Sequence, residues 1–265
     1  MKRSGMRIVM TNIGKQSAER CGAQVQDRCT AVLLAAGTGL RMHSDTYKQY
    51  IRLRGIPLFV YAARTMEKSS VITDIVVVTL AGEEENVLEI LRRFGVEKKV
   101  RRAVAGGAER HLSVWNGLQA IDWPCDYVFV HDSARPLLDE PTLVRLYEKV
   151  RECGACVAAV PAKDTIKITD AEGVVVQTPA RSCVWIVQTP QVFDRELITK
   201  AHALMVEQLE DLTARGIRIT DDAMVAELML GTRVHTVMGS YMNIKVTTPD
   251  DLPLTEAFLS QAGEN

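Results

Sequence analysis

The 265-residue sequence has almost no net charge, with 32 Lys and Arg against 33 Asp and Glu for a formal balance of -1. A chain so balanced offers no broad field for nucleic acid or an anionic surface, so any anion it binds must meet a local group of cations. It lacks an apolar run long enough to cross a bilayer, any Asn-x-Ser/Thr acceptor, any internal repeat and any low-complexity stretch. Its six cysteines (Cys21, Cys29, Cys125, Cys153, Cys156 and Cys183) are scattered and make no disulfide framework. A reducing cytoplasm is the simplest expectation. What remains, 47% hydrophobic and 25% charged, suits one sizeable globular domain.

Residues 1–28 stand apart, with six basic residues against Glu19 and Asp27 and little periodicity. Ile8-Val9-Met10 is too short for a secretory core. A flexible extension is expected there, its shortage of acid also fitting a plastid transit peptide, with the domain proper over 29–265.

The chain is organised around Thr30–Met42, an apolar run that breaks into a small-residue turn and continues to Arg41. An uninterrupted run such as Ala31–Ala35 reads as a strand buried on both faces. At Gly37-Thr38-Gly39 no large side chain blocks the backbone, so successive N–H groups can face a phosphate. The turn is no P-loop, since no Gly-Lys-Ser/Thr closes it. Met42 stands where a dinucleotide fingerprint has its third small residue, and the second strand, Ile75–Leu80, ends without an acid. Arg41 and Lys48 beside the turn instead suit a polyphosphate whose charge must be neutralised while it reacts.

The rest alternates strand and helix. The pattern predicts a short strand and turn over Ile51–Pro57, with Pro57 opening a helix to Lys68. A strand over Val71–Leu80 and a helix over Glu83–Phe94 follow, with Leu88, Ile90 and Leu91 inward, then a strand over Val100–Val104. Gly106-Gly107 opens a helix to Ile121 with Leu112, Trp115 and Leu118 on its inner face. A strand over Tyr127–Val130 runs into His131-Asp132-Ser133-Ala134-Arg135-Pro136. Next come a helix over Pro141–Arg151 and a strand over Ala155–Val160. Residues 161–183 break the rhythm with a hairpin turning at Asp170–Gly173, expected to protrude as an arm onto a second copy of the chain. Val184–Val187 returns to the sheet, and a helix spans Arg195–Glu210. Thr220 caps a helix to Leu230, a strand covers Arg233–Val237, and a last helix follows Thr248-Pro249-Asp250-Asp251.

Eight motifs in order carry a resemblance. They are Ala35-Ala36-Gly37-x-Gly39-x-Arg41-Met42, Lys48-Gln49-Tyr50, Gly106-Gly107-x-Glu109-Arg110-x-x-Ser113-Val114, His131–Pro136, Asp164-Thr165-x-Lys167, Thr189-Pro190-Gln191, Thr220-Asp221-Asp222-Ala223 and Asn243-Ile244-Lys245-Val246-Thr247. From about Thr30 to Leu259 the chain resembles the 2-C-methyl-D-erythritol 4-phosphate cytidylyltransferase family of the non-mevalonate isoprenoid pathway. That resemblance implies a Rossmann-like α/β three-layer nucleotidyltransferase fold with a mostly parallel sheet, and a homodimer completed by the arm. It implies transfer of a cytidylyl group from CTP to methylerythritol phosphate, with Mg²⁺ carried mainly on the CTP phosphates and Asp132 a possible further ligand.

By the same resemblance, Arg41 and Lys48 stabilise the α-phosphate in the transition state, and Arg181, Lys245 and Thr189 hold and aim the incoming phosphate. Ala35, Ala36, Gly107 and Ser113 line the cytosine pocket. Asp132, Ser133 and Arg135 face the polyol, and Thr165 reaches it from the partner's arm. The chain departs from the family pattern in having Leu34 and Tyr47 where prolines are usual, and Ala108 where an acid is frequent.

Ribitol 5-phosphate is the nearest rival substrate, and a nucleotide-binding protein without catalysis is the rival of another class. Cys153-Gly-Ala-Cys156 has a thiol-redox spacing, but no second pair completes a zinc set, and it falls where a helix meets a buried strand. His131 reads as a hydrogen-bonded structural histidine, since a phosphate nucleophile needs no base.

Overall fold

The computed structural model describes residues 27–37 and 47–261. β1 (Cys29–Leu34) is buried along its whole length, as its apolar run requires. The short strands β2 (Arg52–Leu53) and β3 (Ile56–Pro57) pair as a tight hairpin leading into α1 (Leu58–Lys68). β4 (Asp74–Thr79), α2 (Glu84–Arg93), β5 (Val100–Ala105), α3 (Arg110–Gln119), β6 (Tyr127–Asp132), α4 (Glu140–Cys153) and β7 (Ala155–Pro161) continue the alternation. β8 (Ile168–Thr169) and β9 (Val175–Gln177) form the predicted arm. After it come β10 (Trp185–Asp194), α5 (Arg195–Glu207), α6 (Leu209–Ala214), α7 (Asp222–Leu230), β11 (His235–Met238) and α8 (Asp251–Gln261).

Seven strands form one sheet in the order β11-β7-β10-β6-β1-β4-β5. β10 runs antiparallel to both its neighbours, while every other pairing is parallel. Strand order therefore reverses between β1 and β6, and the crevice beyond their carboxyl ends is where such sheets bind ligands. Leu34 pairs with Asp132 at that edge.

Alternate residues of the buried strands feed two cores. Ala31 and Leu33 of β1 pack with Phe59 and Met66 of α1, Val87 and Leu91 of α2, and Leu146 of α4. Val32 and Leu34 face the other way, towards Val114 and Leu118 of α3, Ile198 of α5 and Ala226 of α7. The three-layer α/β fold expected from the sequence is thus formed.

Several local expectations are corrected. Pro57 ends β3 and precedes α1 as its N-cap, its ψ of 142° being extended and not helical. In α2 the fully buried positions are Val87 and Leu91, with Leu88 and Ile90 only half-buried. In α3 the inner face is Val114, Gly117 and Leu118, while Leu112 and Trp115 are half-buried. The segments before and after Thr189-Pro190-Gln191 are one strand, β10, whose register against β7 shifts between Val187 and Gln191. The helix expected over Arg195–Glu210 divides into α5 and α6. Asp221, not Thr220, caps α7, accepting the Met224 N–H at 2.9 Å.

The arm exposes Ile166, Ile168, Val174, Val175 and Val176, the last 62% accessible. So much apolar surface on a two-stranded hairpin cannot stabilise itself. Residues 1–26 of the expected extension lie outside the described residues. Asp27 and Arg28, however, are fastened to the domain: Asp27 accepts from the Tyr147 hydroxyl at 2.9 Å, and Arg28 pairs with buried Asp74 at 2.8 Å.

Candidate active site

A pocket of about 650 Å³ opens at the carboxyl edge between β1 and β6. Two small-residue turns bring its walls together. Ala36 and Gly37 follow β1, and Gly106-Gly107 follows β5. A Cβ on Gly106 would fall 2.5 Å from that of Ala36 and 2.8 Å from Ser113 Oγ, so the close approach of the turns requires glycine. Ser113 Oγ accepts the Gly107 N–H at 3.1 Å and lies 3.2 Å from the Glu109 carbonyl, which fixes the second turn against α3.

The pocket's polar floor is Asp132, the last residue of β6. Its Oδ1 lies 3.1 Å from Arg110 Nε, and its Oδ2 lies 2.6 Å from Lys245 Nζ. Burial would raise the Asp132 pKa, but the Arg110 and Lys245 charges outweigh it and hold the carboxyl well below the usual carboxylate range. Arg110 in turn pairs at 2.9 Å with Asp222, which is wholly buried at the start of α7.

A hydrogen-bond chain fixes the Asp132 backbone from behind. β10 pairs with β6 as far as Gln191 opposite Val130, and just beyond that pairing the Asp132 N–H donates to Thr189 Oγ1 at 3.1 Å. Thr189 Oγ1 is also 3.0 Å from His131 Nδ1, while His131 Nε2 is 3.1 Å from the Arg135 carbonyl. A carbonyl only accepts, so Nε2 carries the ring proton and Nδ1 accepts from the threonine hydroxyl. Burial pushes the His131 pKa down to about 4, keeping the ring neutral.

The structure brings only part of the predicted site together. Ala36, Gly37, Gly107, Ser113, Asp132, Ser133 and Lys245 line the pocket. Ala35 does not; it is buried, with its N–H donated to the Val78 carbonyl. Thr189 is buried with its hydroxyl already engaged, so it supports the site from behind. Arg135 points its guanidinium at the carbonyls of Asn243, 2.8 Å away, and Val187, tying the β6 loop to its neighbours. Thr165 and Arg181 are exposed on and beside the arm, away from this pocket; Arg181 donates to the Lys163 carbonyl at 3.2 Å. Gly39, Arg41 and the Lys48 side chain lie outside the described residues.

Arg110 was missed as a site residue, although it stands in the Gly106-Gly107-x-Glu109-Arg110 motif. Gln49 and Ala134, each next to a predicted residue, and Thr247, two beyond Lys245, also line the pocket. Of the departures, Tyr47 is 48% exposed and Ala108 lines the pocket.

The sequence pattern of one family, 2-C-methyl-D-erythritol 4-phosphate cytidylyltransferase, matches residues 29–261. The chain belongs to that family. It is 44% identical over 235 residues to the enzyme of that name from Geotalea uraniireducens, covering 88% of this chain and 97% of the relative. A second relative of the same name, from Alkaliphilus metalliredigens, is 42% identical over 238 residues, 89% of this chain and 95% of its own. The crystal structure of 4-diphosphocytidyl-2C-methyl-D-erythritol synthase from Anaerococcus prevotii superposes with a TM-score of 0.75 at 31% identity. It covers 89% of this chain and 97% of that one. The cytidylyltransferase fold therefore spans the described domain.

Among the described residues no cluster of three or more His, Cys, Asp or Glu stands ready for a metal. Both Asp132 oxygens already face cations.

Proposed function

We propose that the chain transfers the cytidylyl group of CTP to 2-C-methyl-D-erythritol 4-phosphate, forming 4-diphosphocytidyl-2-C-methyl-D-erythritol and pyrophosphate for isoprenoid precursor synthesis in the cytoplasm. The observation that carries this reading is the pairing of Lys245 and Asp132 on the floor of a pocket walled by two small-residue turns. Cation and carboxylate suit a phosphate and a polyol held side by side, and the turns suit a nucleotide.

An oxygen of the polyol's phosphate attacks the α-phosphorus of CTP. The bond from that phosphorus to the bridging oxygen of the β-phosphate breaks, and pyrophosphate leaves with the electron pair. The nucleophile is already an oxyanion, so the protein's task is positioning and charge neutralisation. Lys245, with Arg181, aims the attacking phosphate; Arg41 and Lys48 meet the charge at the α-phosphorus; Asp132 and Ser133 hold the polyol. Ala36, Gly107 and Ser113 border the base, where backbone groups can approach closely. Mg²⁺ on the CTP phosphates would lower the repulsion between the two anions, and the remaining lone pairs of the Asp132 carboxylate could reach it as well.

Thr165 and Arg181 lie away from the pocket of their own chain, and the exposed arm supports a homodimer in which the partner's arm delivers both residues to the site. The experiment is pyrophosphate release from CTP and Mg²⁺ with methylerythritol phosphate, with ribitol 5-phosphate, UTP and ATP as alternatives. Preference for CTP with methylerythritol phosphate is expected. Preference for ribitol phosphate overturns the polyol assignment, and CTP binding without turnover overturns catalysis. Mixing a Lys48→Ala chain with a Thr165→Val chain restores activity if the arm serves the partner.

A further inference from the structure

Arg110 opens α3 at the pocket wall and holds two carboxylates through different nitrogens. Nε lies 3.1 Å from Asp132 Oδ1, and Nη1 lies 2.9 Å from Asp222 Oδ2. Behind it, the other oxygen of Asp222 is 3.4 Å from Nε2 of His202, and both side chains are fully buried. On the pocket side, Lys245 reaches the second oxygen of Asp132 at 2.6 Å and its side chain is 40% exposed. The two cations on Asp132 are therefore unequal. A substrate phosphate entering the pocket competes with Asp132 for the exposed ammonium, and a flexible four-carbon stem lets Lys245 follow it. Arg110 cannot follow, because departure would leave the fully buried Asp222 with only the His202 ring, 3.4 Å away.

We propose that Arg110, anchored by Asp222, is the positioning residue that keeps Asp132 fixed as a charged acceptor for the polyol hydroxyls while Lys245 passes from Asp132 to the substrate's phosphate. This inference rests on placing the polyol phosphate in this pocket. It separates two roles within one cluster: Lys245 is exchanged between partners, and the Arg110–Asp222 pair is not. Asp222 does not line the pocket, so any effect of its removal on substrate binding travels through Arg110.

The test is steady-state kinetics on the full chain with CTP and methylerythritol phosphate varied separately, for wild type, Arg110→Gln, Arg110→Lys and Asp222→Asn, with thermal unfolding in parallel. Arg110→Gln and Asp222→Asn should each raise the polyol phosphate KM by about tenfold or more and lower kcat, while the CTP KM stays within about twofold. Arg110→Lys, which keeps the charge and loses the fork, should fall between them and wild type. A wild-type KM in Asp222→Asn, or an equal rise in both KM values, overturns the inference. Should Asp222→Asn fail to fold, Arg110→Lys decides it, since an unchanged polyol phosphate KM there is equally fatal. No turnover by wild type removes the functional reading and this inference together; wild-type turnover with variants showing no split between substrates removes this inference alone.

Discussion

Thr189 receives the Asp132 N–H on its hydroxyl at 3.1 Å, taking the place of a backbone carbonyl at the end of the β6–β10 ladder. The same oxygen is 3.0 Å from His131 Nδ1, so it accepts once and donates once. The hydroxyl is thus consumed in holding the backbone that carries Asp132.

Thr189→Val keeps the volume but leaves a buried N–H and a ring nitrogen unpaired, at a cost of roughly 1–3 kcal/mol. The polyol phosphate KM should rise by about tenfold with little change in the CTP KM, and Thr189→Ser should recover most of the loss. Kinetics of the two variants check this. Equal impairment by Val and Ser would show that the methyl group matters and the hydroxyl does not.

His131 gives the same network a pH dependence. Burial lowers its pKa from 6.5 to about 4. The unfolded chain therefore binds more protons than the folded one in the window between those values, and stability rises with pH across it. The contribution is complete above pH 6.5 and is lost as pH falls towards 4. Its slope approaches about 1.4 kcal/mol per pH unit. His131→Asn can offer an oxygen to the Thr189 hydroxyl but cannot titrate, so its unfolding free energy should vary less between pH 4.5 and 6.5 than wild type. Parallel denaturant titrations at several pH values measure the difference.

The parts that local chemistry determines were legible in the sequence. β1 was visible as an unbroken apolar run, the β8–β9 arm through its turn at Asp170–Gly173, and the pocket edge through two glycine-containing junctions after strands. Arg110 was not, because its importance arises from a partner 112 residues away, Asp222, which is brought near only because α3 and α7 both pack on α5. The supporting role of Thr189 was hidden for a similar reason, since the antiparallel placement of β10 beside β6 leaves no mark on either strand alone. Leu88 and Trp115 were misjudged because helical spacing gives a face without saying how deeply the sheet covers it.

Gly106 is a further point of exact fit between the two turns. In Gly106→Ala the new methyl meets Ala36 Cβ at 2.5 Å and Ser113 Oγ at 2.8 Å, so the turns must separate. Overpacking of this kind costs about 1–3 kcal/mol. The melting temperature should fall and the CTP KM should rise more than the polyol phosphate KM. If the two KM values move together, the turns do not form the nucleotide side of the pocket.

Lys48 belongs to a short 3₁₀ turn, Lys48–Tyr50, held by the Tyr50 hydroxyl donating to Glu83 at 2.9 Å and by the edge of its ring against Phe59. This anchors the turn to α1 and α2 despite the absence of a proline at Tyr47. In the proposed reaction the Lys48 charge matters most when negative charge gathers around the α-phosphorus. Lys48→Ala should therefore reduce kcat by about 10²–10³-fold while changing the CTP KM far less. Tyr50→Phe, which releases the turn and keeps the lysine, should show a smaller loss in the same direction. Steady-state kinetics with each substrate varied in turn separates these effects. A Lys48→Ala enzyme with weakened CTP binding and unchanged kcat would place the lysine on the ground state and take it out of the transition state.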